Sequence, residues 1–282
     1  MKELIQQLFN IEVKNIRIIG EGLDSVAYVV NDDYIFKKSK HVKAKQDMKK
    51  EVMVLKYLEG KLPLKIPIIE YYDESNSICG YKMIDGDILT PNIYKKMSDA
   101  EQNVLALDIA NFLKKLHSLD LPIIDDLEID VVLDYQNDYE ILKKRIYDKI
   151  SLGAREYIDR LFNRILNDER IIKCDKVLCH NDLSCNHMIM KDHKLVGIID
   201  FGDVAITDKD REFVYLLEDS SEELGHEFGL KVINYYGYVD KDTVLLKADL
   251  NEEYYPLEQI IWGLENNDSE LYNNGLNAIK NK

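Results

Sequence analysis

The chain has 282 residues, of which 46% are hydrophobic and 32% charged, a composition that excludes an intrinsically disordered protein. No apolar run approaches the roughly 18 residues that a membrane-spanning helix needs. The N-terminal sequence MKELIQQLFNIEV carries acids and amides where a signal peptide has its apolar core, so we expect a cytoplasmic protein. The four cysteines form no CxxC pair, which argues against a zinc site.

The net charge of −15 is unevenly distributed along the chain. Residues 1–84 carry 14 Lys/Arg and 12 Asp/Glu, whereas the remainder carries 23 and 40. Nucleic-acid binding is disfavoured because phosphate backbones need basic surfaces. The acidic part can attract a cationic ligand or can simply keep the protein soluble, and the charge alone does not separate these two roles.

The first 84 residues predict a short amphipathic helix, an antiparallel sheet and one longer helix. The helices are expected at 1–9 and 44–58, and the strands at 16–19, 26–30, 34–37, 66–72 and 78–84. Gly20 and Gly22 separate the first two strands, which favours close approach of the backbone to phosphates, although a plain tight turn would also explain them. Lys37 ends a strand and Glu51 lies in the longer helix. Kinase folds hold nucleotide phosphates with such a pair, but Lys37 could equally be a surface lysine.

The sequence Asp85-Gly86-Asp87 breaks the strand pattern and predicts a boundary between two lobes. Ser98 and Glu101 have the spacing of a capping box, so a helix is expected to begin there. The remaining periodic segments predict further helices. They cover 138–167 as one or two helices, 213–217, 222–236, 255–265 and 271–280.

Two clusters of polar residues follow apolar strands in the second half of the chain. His180, Asp182 and Asn186 follow the first strand, with one residue fewer between acid and amide than protein kinases show, and Asp200 follows the next strand. Asp182 could accept the proton of an attacking hydroxyl, while Asn186 and Asp200 could hold Mg²⁺ through oxygen. Each cluster alone could be a β-turn. Their order behind the Lys/Glu pair favours metal-dependent phosphoryl transfer, with His180 supporting the loop.

The segments HNDLSCN and GIIDFGD resemble the aminoglycoside phosphotransferase family, and the resemblance extends from about residue 18 to 265. Four further segments are especially similar to the aminoglycoside 2″-phosphotransferases: YIFK, GYKMIDGDILTP, FLKKLHSLD and FVYLLEDS. The resemblance implies an α+β, bilobal, protein-kinase-like fold with a small antiparallel-sheet lobe (1–84, hinge at 81–86) and a larger, mainly helical lobe (87–282). The larger lobe would divide into a core, at about 87–135 and 175–217, and a helical substrate-binding subdomain, at about 136–174 and 218–282.

The resemblance also implies a function. The enzyme would transfer the γ-phosphate of GTP or ATP to the 2″-hydroxyl of gentamicin- and kanamycin-type antibiotics, and so confer resistance. Asp182 would be the base, Asn186 and Asp200 the Mg²⁺ ligands, and Lys37 the phosphate anchor with Glu51 as its partner. The nucleotide would also meet Ser25, Tyr81 at the gatekeeper position, Lys82 and Ile84. The bulky Tyr81 favours GTP.

A polycationic aminoglycoside would suit acidic walls. The residues expected to contact it are Ser184, Asp203, Glu218, Asp219, Glu222, Glu223, Tyr255 and Trp262; Glu252 and Glu253 add to the acidic wall. The protein is expected to be a monomer. A kinase for choline or a macrolide, and a non-catalytic nucleotide-binding module, remain as alternatives.

Overall fold

The computed structural model describes residues 1–22, 24–120 and 134–282. Leu23 of the expected phosphate loop and residues 121–133 of the expected larger-lobe core lie outside the described residues. The described residues form two compact units. The first contains residues 1–120, Leu178–Ile206 and Tyr215–Gly237, and the second contains 134–177, Thr207–Val214 and Tyr238–Lys282. Among the helices described, none has the length and apolar character needed to cross a membrane.

The first unit begins with a five-stranded antiparallel sheet, as expected from the sequence. Its elements are α1 (Lys2–Phe9), β1 (Ile16–Glu21), β2 (Ser25–Val30), β3 (Tyr34–Ser39), α2 (Val42–Leu58), β4 (Ile69–Asp73) and β5 (Ile78–Lys82), and the strand order is β1-β2-β3-β5-β4. The strand β4 begins at Ile69 rather than Ile66. Lys65 instead accepts a hydrogen bond from Ile198 (N to O, 2.9 Å) and donates one to Val196 (3.1 Å).

The two faces of this sheet have different partners because side chains alternate along a strand. On one face, Phe36 packs with Ile5 of α1 and with the ring of Tyr71, whose centroid lies 5.5 Å away. Gly80 leaves room for Phe36, since a Cβ at Gly80 would lie 2.5 Å from the ring. The opposite face is covered by α2. Lys37 lies on that face, one residue away from Phe36 along β3.

The rest of the first unit combines short strands with helices. These elements are β6 (Asp87–Ile88), α3 (Pro91–Tyr94), α4 (Asp99–His117), β7 (Lys176–Cys179), β8 (Met188–Lys191), β9 (Lys194–Ile198), β10 (Ala205–Asp208), α8 (Val214–Leu217) and α9 (His226–Tyr236). Residues 176–177 of β7, 207–208 of β10 and Val214 of α8 belong to the second unit. Strands β6, β8 and β9 form one antiparallel sheet, and β7 pairs with β10. The predicted capping box is present, because Ser98 and Glu101 exchange both hydrogen bonds at the start of α4.

The helix α9 packs against α4, which differs from the expected placement of 218–282 in one helical subdomain. Tyr236 Oη lies 2.9 Å from Nδ1 of His117, and the rings of Phe228 and Tyr94 meet at 5.1 Å. These contacts group residues 218–237 with the first unit. The helix begins at His226, not at Glu222, because Gly225 has φ of 93°.

The second unit is helical. It contains α5 (Tyr135–Arg145), α6 (Leu152–Asn167), α7 (Glu169–Ile172), α10 (Lys241–Asn266) and α11 (Ser269–Ile279). Ser151 caps α6 and separates it from α5, so the predicted segment 138–167 forms two helices. The core contains Phe162, Tyr254 and Leu257. Lys247 of α10 is buried between the carboxylates of Asp208 and Asp210, with its Nζ 2.7 Å from Asp210.

Candidate active site

Lys37 forms ion pairs with two carboxylates, of which Glu51 is buried and Asp200 is 45% exposed. Its Nζ lies 2.9 and 3.0 Å from the carboxylate oxygens of Glu51 on α2, and 2.9 Å from Oδ1 of Asp200. Burial lowers the pKa of Lys37, but the two carboxylates outweigh it and hold that pKa well above its ordinary value. Burial raises the pKa of Asp200, yet Lys37 and His187 lower it to about 2. The predicted Lys/Glu pair is thus present, and Asp200 is ionised beside it.

His180 connects the loop of Asp182 to the strand that precedes Asp200. Its ring is fully buried, its Nε2 lies 3.0 Å from the carbonyl oxygen of Ile199, and its Nδ1 accepts the backbone N–H of Asp182 at 3.4 Å. Because Nδ1 accepts, Nε2 carries the proton and donates to Ile199. His180 therefore supports the loop, as the sequence suggests, and leaves Asp182 to face the cavity.

His187, which the sequence analysis did not single out, lies between Asp182 and Asp200. Its Nδ1 is 2.8 Å from the carbonyl oxygen of Asp182, and its Nε2 is 3.7 Å from Oδ2 of Asp200. Asn186, the predicted metal ligand, precedes His187 on the short 3₁₀ helix Cys185–His187 and is exposed; neither residue belongs to the cavity wall. The sequence feature that could have identified His187 is its separation from Asp182. His187 is five residues after Asp182, the separation that the kinase pattern H-x-D-x-x-x-x-N has between acid and amide.

The carboxyl group of Asp182 is set in an acidic, partly buried environment. Burial, together with Asp203 and Asp200, raises the pKa of Asp182 to about 6, against the opposing effect of His187. A carboxylate with this pKa is mostly ionised at neutral pH and binds a proton more readily than an exposed aspartate. Both properties suit a group that accepts a proton from a hydroxyl.

The side chains of Lys37, Glu51, Asp182 and Asp200 line one cavity of about 270 Å³. Its wall consists of Gly22, Asp24, Ser25, Lys37, Ser39, Ala44, Asp47, Met48, Glu51, Asp182, Asp200, Gly202 and Asp203. Asp203, expected to contact substrate, thus lies beside Asp200, and burial together with that charge raises the pKa of Asp203. Across the described ranges, no group of three or more His, Cys, Asp or Glu side chains is already arranged around a metal position.

The loop between β1 and β2 is attached to the end of β3. Gly22 donates its N–H to the carbonyl of Ser25 (3.0 Å) and accepts from Nζ of Lys40 (2.7 Å). His41 accepts the N–H of Ala44 with Nδ1, so its Nε2, 2.9 Å from Oδ1 of Asp24, carries the proton. The predicted phosphate loop, including Ser25, therefore borders the cavity.

The predicted hinge residues lie outside the cavity wall. Tyr81 is buried against Val29 and Ile35, on the same face of the sheet as Lys37. Lys82 is exposed and pairs with Asp33 at 3.6 Å. Ile84 packs on Gly197, where a Cβ would lie 3.1 Å from its side chain.

The residues predicted to bind the acceptor fall into three groups. Glu218, Asp219 and Glu222 lie on the surface of the first unit between α8 and α9, Glu218 being partly buried. Ser184 and Glu223, in contrast, are buried and hydrogen-bonded to each other, so neither is part of an exposed wall. Tyr255 and Trp262, 49% and 44% exposed, belong to α10 in the second unit, as do the neighbouring Glu252 and Glu253.

Comparison with known proteins places this geometry among phosphotransferases. A family model described as the phosphotransferase enzyme family matches residues 15–246. The solved gentamicin complex of APH(2″)-IIa is 31% identical, with a TM-score of 0.87 over 98% of this chain and 94% of that chain. The GDP and kanamycin complex of APH(2″)-IIia is 26% identical, with a TM-score of 0.85 over 99% and 96%. Macrolide 2′-phosphotransferase MphH from Brachybacterium faecium, at 15% identity, has a TM-score of 0.76 over 99% and 97% and shares the fold.

Proposed function

The chain belongs to the phosphotransferase enzyme family and has its protein-kinase-like fold, and on this premise we propose that it phosphorylates aminoglycosides. The donor is GTP, with ATP as the alternative, and the acceptor is the 2″-hydroxyl of gentamicin- or kanamycin-type compounds. The observation that carries the proposal is the convergence of Lys37, Glu51, Asp182 and Asp200 on one cavity. The resemblance to the two aminoglycoside complexes supports the choice of acceptor.

The side chains divide the chemistry between them. Asp182 accepts the proton of the attacking hydroxyl, which makes the oxygen a better nucleophile towards the γ-phosphorus. Lys37, held by Glu51, supplies the positive charge for the donor's phosphates. Gly22 and Ser25 line the same cavity and would border the phosphates of a bound donor. Catalysis of this kind depends on positioning and charge neutralisation.

The residues present also fit a magnesium ion. Asp200 is ionised, and Nε2 of His187 faces it at 3.7 Å, with the carboxylate of Asp182 3.5 Å from the same ring. Oxygen donors suit Mg²⁺, which usually keeps several waters; the imidazole of His187 would add a nitrogen donor beside Asp200. We propose Asp200 and His187 as its protein ligands, with Asn186 outside the set. When bound, Mg²⁺ neutralises the charge of the β- and γ-phosphates.

Product NMR after incubation with GTP or ATP, magnesium and kanamycin tests activity, acceptor and position together. A phosphorus–proton coupling at the 2″ position supports the proposal. Phosphorylation at another hydroxyl refutes the assigned position, and no stimulation by any aminoglycoside refutes the acceptor class. Turnover with choline or a macrolide in place of kanamycin would favour the corresponding alternative. Absence of any magnesium-dependent turnover would favour a non-catalytic module.

A matched pair of variants tests the role of Asp182. We expect Asp182→Asn to lower kcat by roughly 10²–10⁴-fold while leaving nucleotide affinity within about threefold, because the amide keeps the shape but cannot accept the proton. Asp192→Asn is the control, since Asp192 is an exposed carboxylate in the turn between β8 and β9. Retention of activity by Asp182→Asn would remove the assignment of the base.

A further inference from the structure

Glu223 makes its polar contacts with the loop that carries Asp182. It belongs to the acidic segment, residues 218–225, between α8 and α9, but its side chain is only 9% exposed. One carboxylate oxygen accepts the hydroxyl of Ser184, and the other accepts the backbone N–H of Cys185 at 3.1 Å. The thiol of Cys185 donates in turn to the carbonyl of Glu222, at 3.1 Å. Three contacts thus join the acidic segment to two consecutive residues of the loop.

Ser184 and Cys185 are linked to the positions of Asp182 and His187. Cys185 opens the one-turn 3₁₀ helix Cys185–His187, and His187 donates its N–H to the carbonyl of Ser184 at 3.1 Å. The ring of His187 then meets the carbonyl of Asp182 at 2.8 Å. A chain of hydrogen bonds therefore runs from Glu223, through Ser184, to His187 and Asp182. A displacement of about 1 Å at such a group can cost about 10²-fold in rate.

We propose that Glu223 is a positioning residue, which holds the catalytic loop through its two acceptor oxygens and joins it to the segment that presents Glu218, Asp219 and Glu222. The inference rests on the proposed function for its kinetic consequence. It departs from the expected role of Glu223 in a substrate wall. This carboxylate is buried and accepts two hydrogen bonds from the protein, so its polar atoms are satisfied without a ligand.

The two roles predict opposite behaviour of Glu223→Gln. A glutamine can accept the N–H of Cys185 with its oxygen and donate its amide to the hydroxyl of Ser184, so it preserves the positioning role. We expect Glu223→Gln to retain kcat within about fivefold and the acceptor KM within about twofold. Glu223→Ala leaves both buried donors without an acceptor, and we expect kcat to fall about 30-fold or more while the nucleotide KM stays within about threefold. Glu227→Gln, an exposed acid on α9, is the matched control.

Amide hydrogen exchange of Cys185, followed by NMR on the full chain, tests the positioning without reference to activity. In Glu223→Ala the exchange at Cys185 should rise about tenfold or more over wild type, Glu223→Gln and Glu227→Gln, whereas the N–H of Ile198, bonded to Lys65, should not change. Unchanged exchange at Cys185 overturns the proposal even if the wild type proves inactive. A raised acceptor KM in Glu223→Gln, equal to that of Glu223→Ala, overturns it in favour of direct substrate binding. An inactive wild type with the expected exchange pattern refutes the proposed function and leaves the positioning geometry supported.

Discussion

His187 and Asn186 offer a sharp test of the site, because they are adjacent in sequence and differ in position. The ring of His187 contacts the carbonyl of Asp182 and faces Asp200, whereas Asn186 is exposed. Loss of the bond to Asp182 costs about 0.5–1.5 kcal/mol, or roughly 2–13-fold. Removal of a side chain that supports a metal site lowers metal affinity or activity by about a further 10–100-fold. We therefore expect His187→Ala to raise the half-saturating magnesium concentration about 10–100-fold, and Asn186→Ala to change it less than about threefold.

The assay is steady-state nucleotide turnover as a function of magnesium at saturating acceptor, with the melting temperature of each variant as a check on folding. His193→Ala serves as the control, because it removes an imidazole that is exposed in the turn between β8 and β9. A larger magnesium shift in Asn186→Ala than in His187→Ala would refute the assignment. It would mean that the short 3₁₀ helix presents its residues to the cavity in a different register from the one in the structure.

Three further substitutions test the fold and the nucleotide site. Lys247→Met removes the cation that pairs with Asp208 and Asp210, so we expect a loss of about 3–5 kcal/mol near pH 7 in denaturant unfolding; because burial raises the pKa of Asp208, this carboxylate can be protonated in the folded variant and the loss should shrink as pH falls towards 5. Gly80→Ala should cost about 1–3 kcal/mol, since its Cβ would lie 2.5 Å from the buried ring of Phe36; an unchanged melting temperature would contradict this packing. Tyr81→Leu should raise kcat/KM for ATP relative to GTP, and an unchanged ratio would show that the phenol does not select the base.

The pair of Lys37 and Glu51 could be predicted because each part has a local signal. The strand that ends at Lys37 and the helix that contains Glu51 are both visible from hydrophobic periodicity, and their spacing fits one turn between them. The strand β3 is paired with β2 on one edge and with β5 on the other. Its side chains therefore alternate between the two faces of the sheet, and Lys37 lies on the face that α2 covers. The contact of Asp200 with the same amine was not predicted, because the sequence indicated Asp200 only as a metal ligand and the contact joins residues 163 positions apart.

The acceptor side could not be predicted residue by residue, because composition does not distinguish a buried acid from an exposed one. Glu222 and Glu223 are adjacent and equally acidic, yet the first is exposed and the second is buried against a loop 38 residues earlier in the chain. The extent of α10 was also underestimated. Pro256 lies inside that helix and interrupts the periodic pattern, although its neighbours keep their helical conformation through packing against α11.

The charge of the cavity connects these observations to the magnesium ion proposed above. Six carboxylates line it, and Lys37 is the one basic side chain among the described lining residues. Lys37 carries one positive charge against these six carboxylates and is ion-paired with two of them, so the lining keeps a net negative charge. A nucleoside triphosphate would therefore be repelled unless its charge is neutralised by a cation that these same carboxylates can bind. The acidic character that disfavours a free nucleotide is thus consistent with a donor that binds as its magnesium complex, and it would also attract the proposed polycationic acceptor. The magnesium titration of the His187 and Asn186 variants measures the first of these two effects directly.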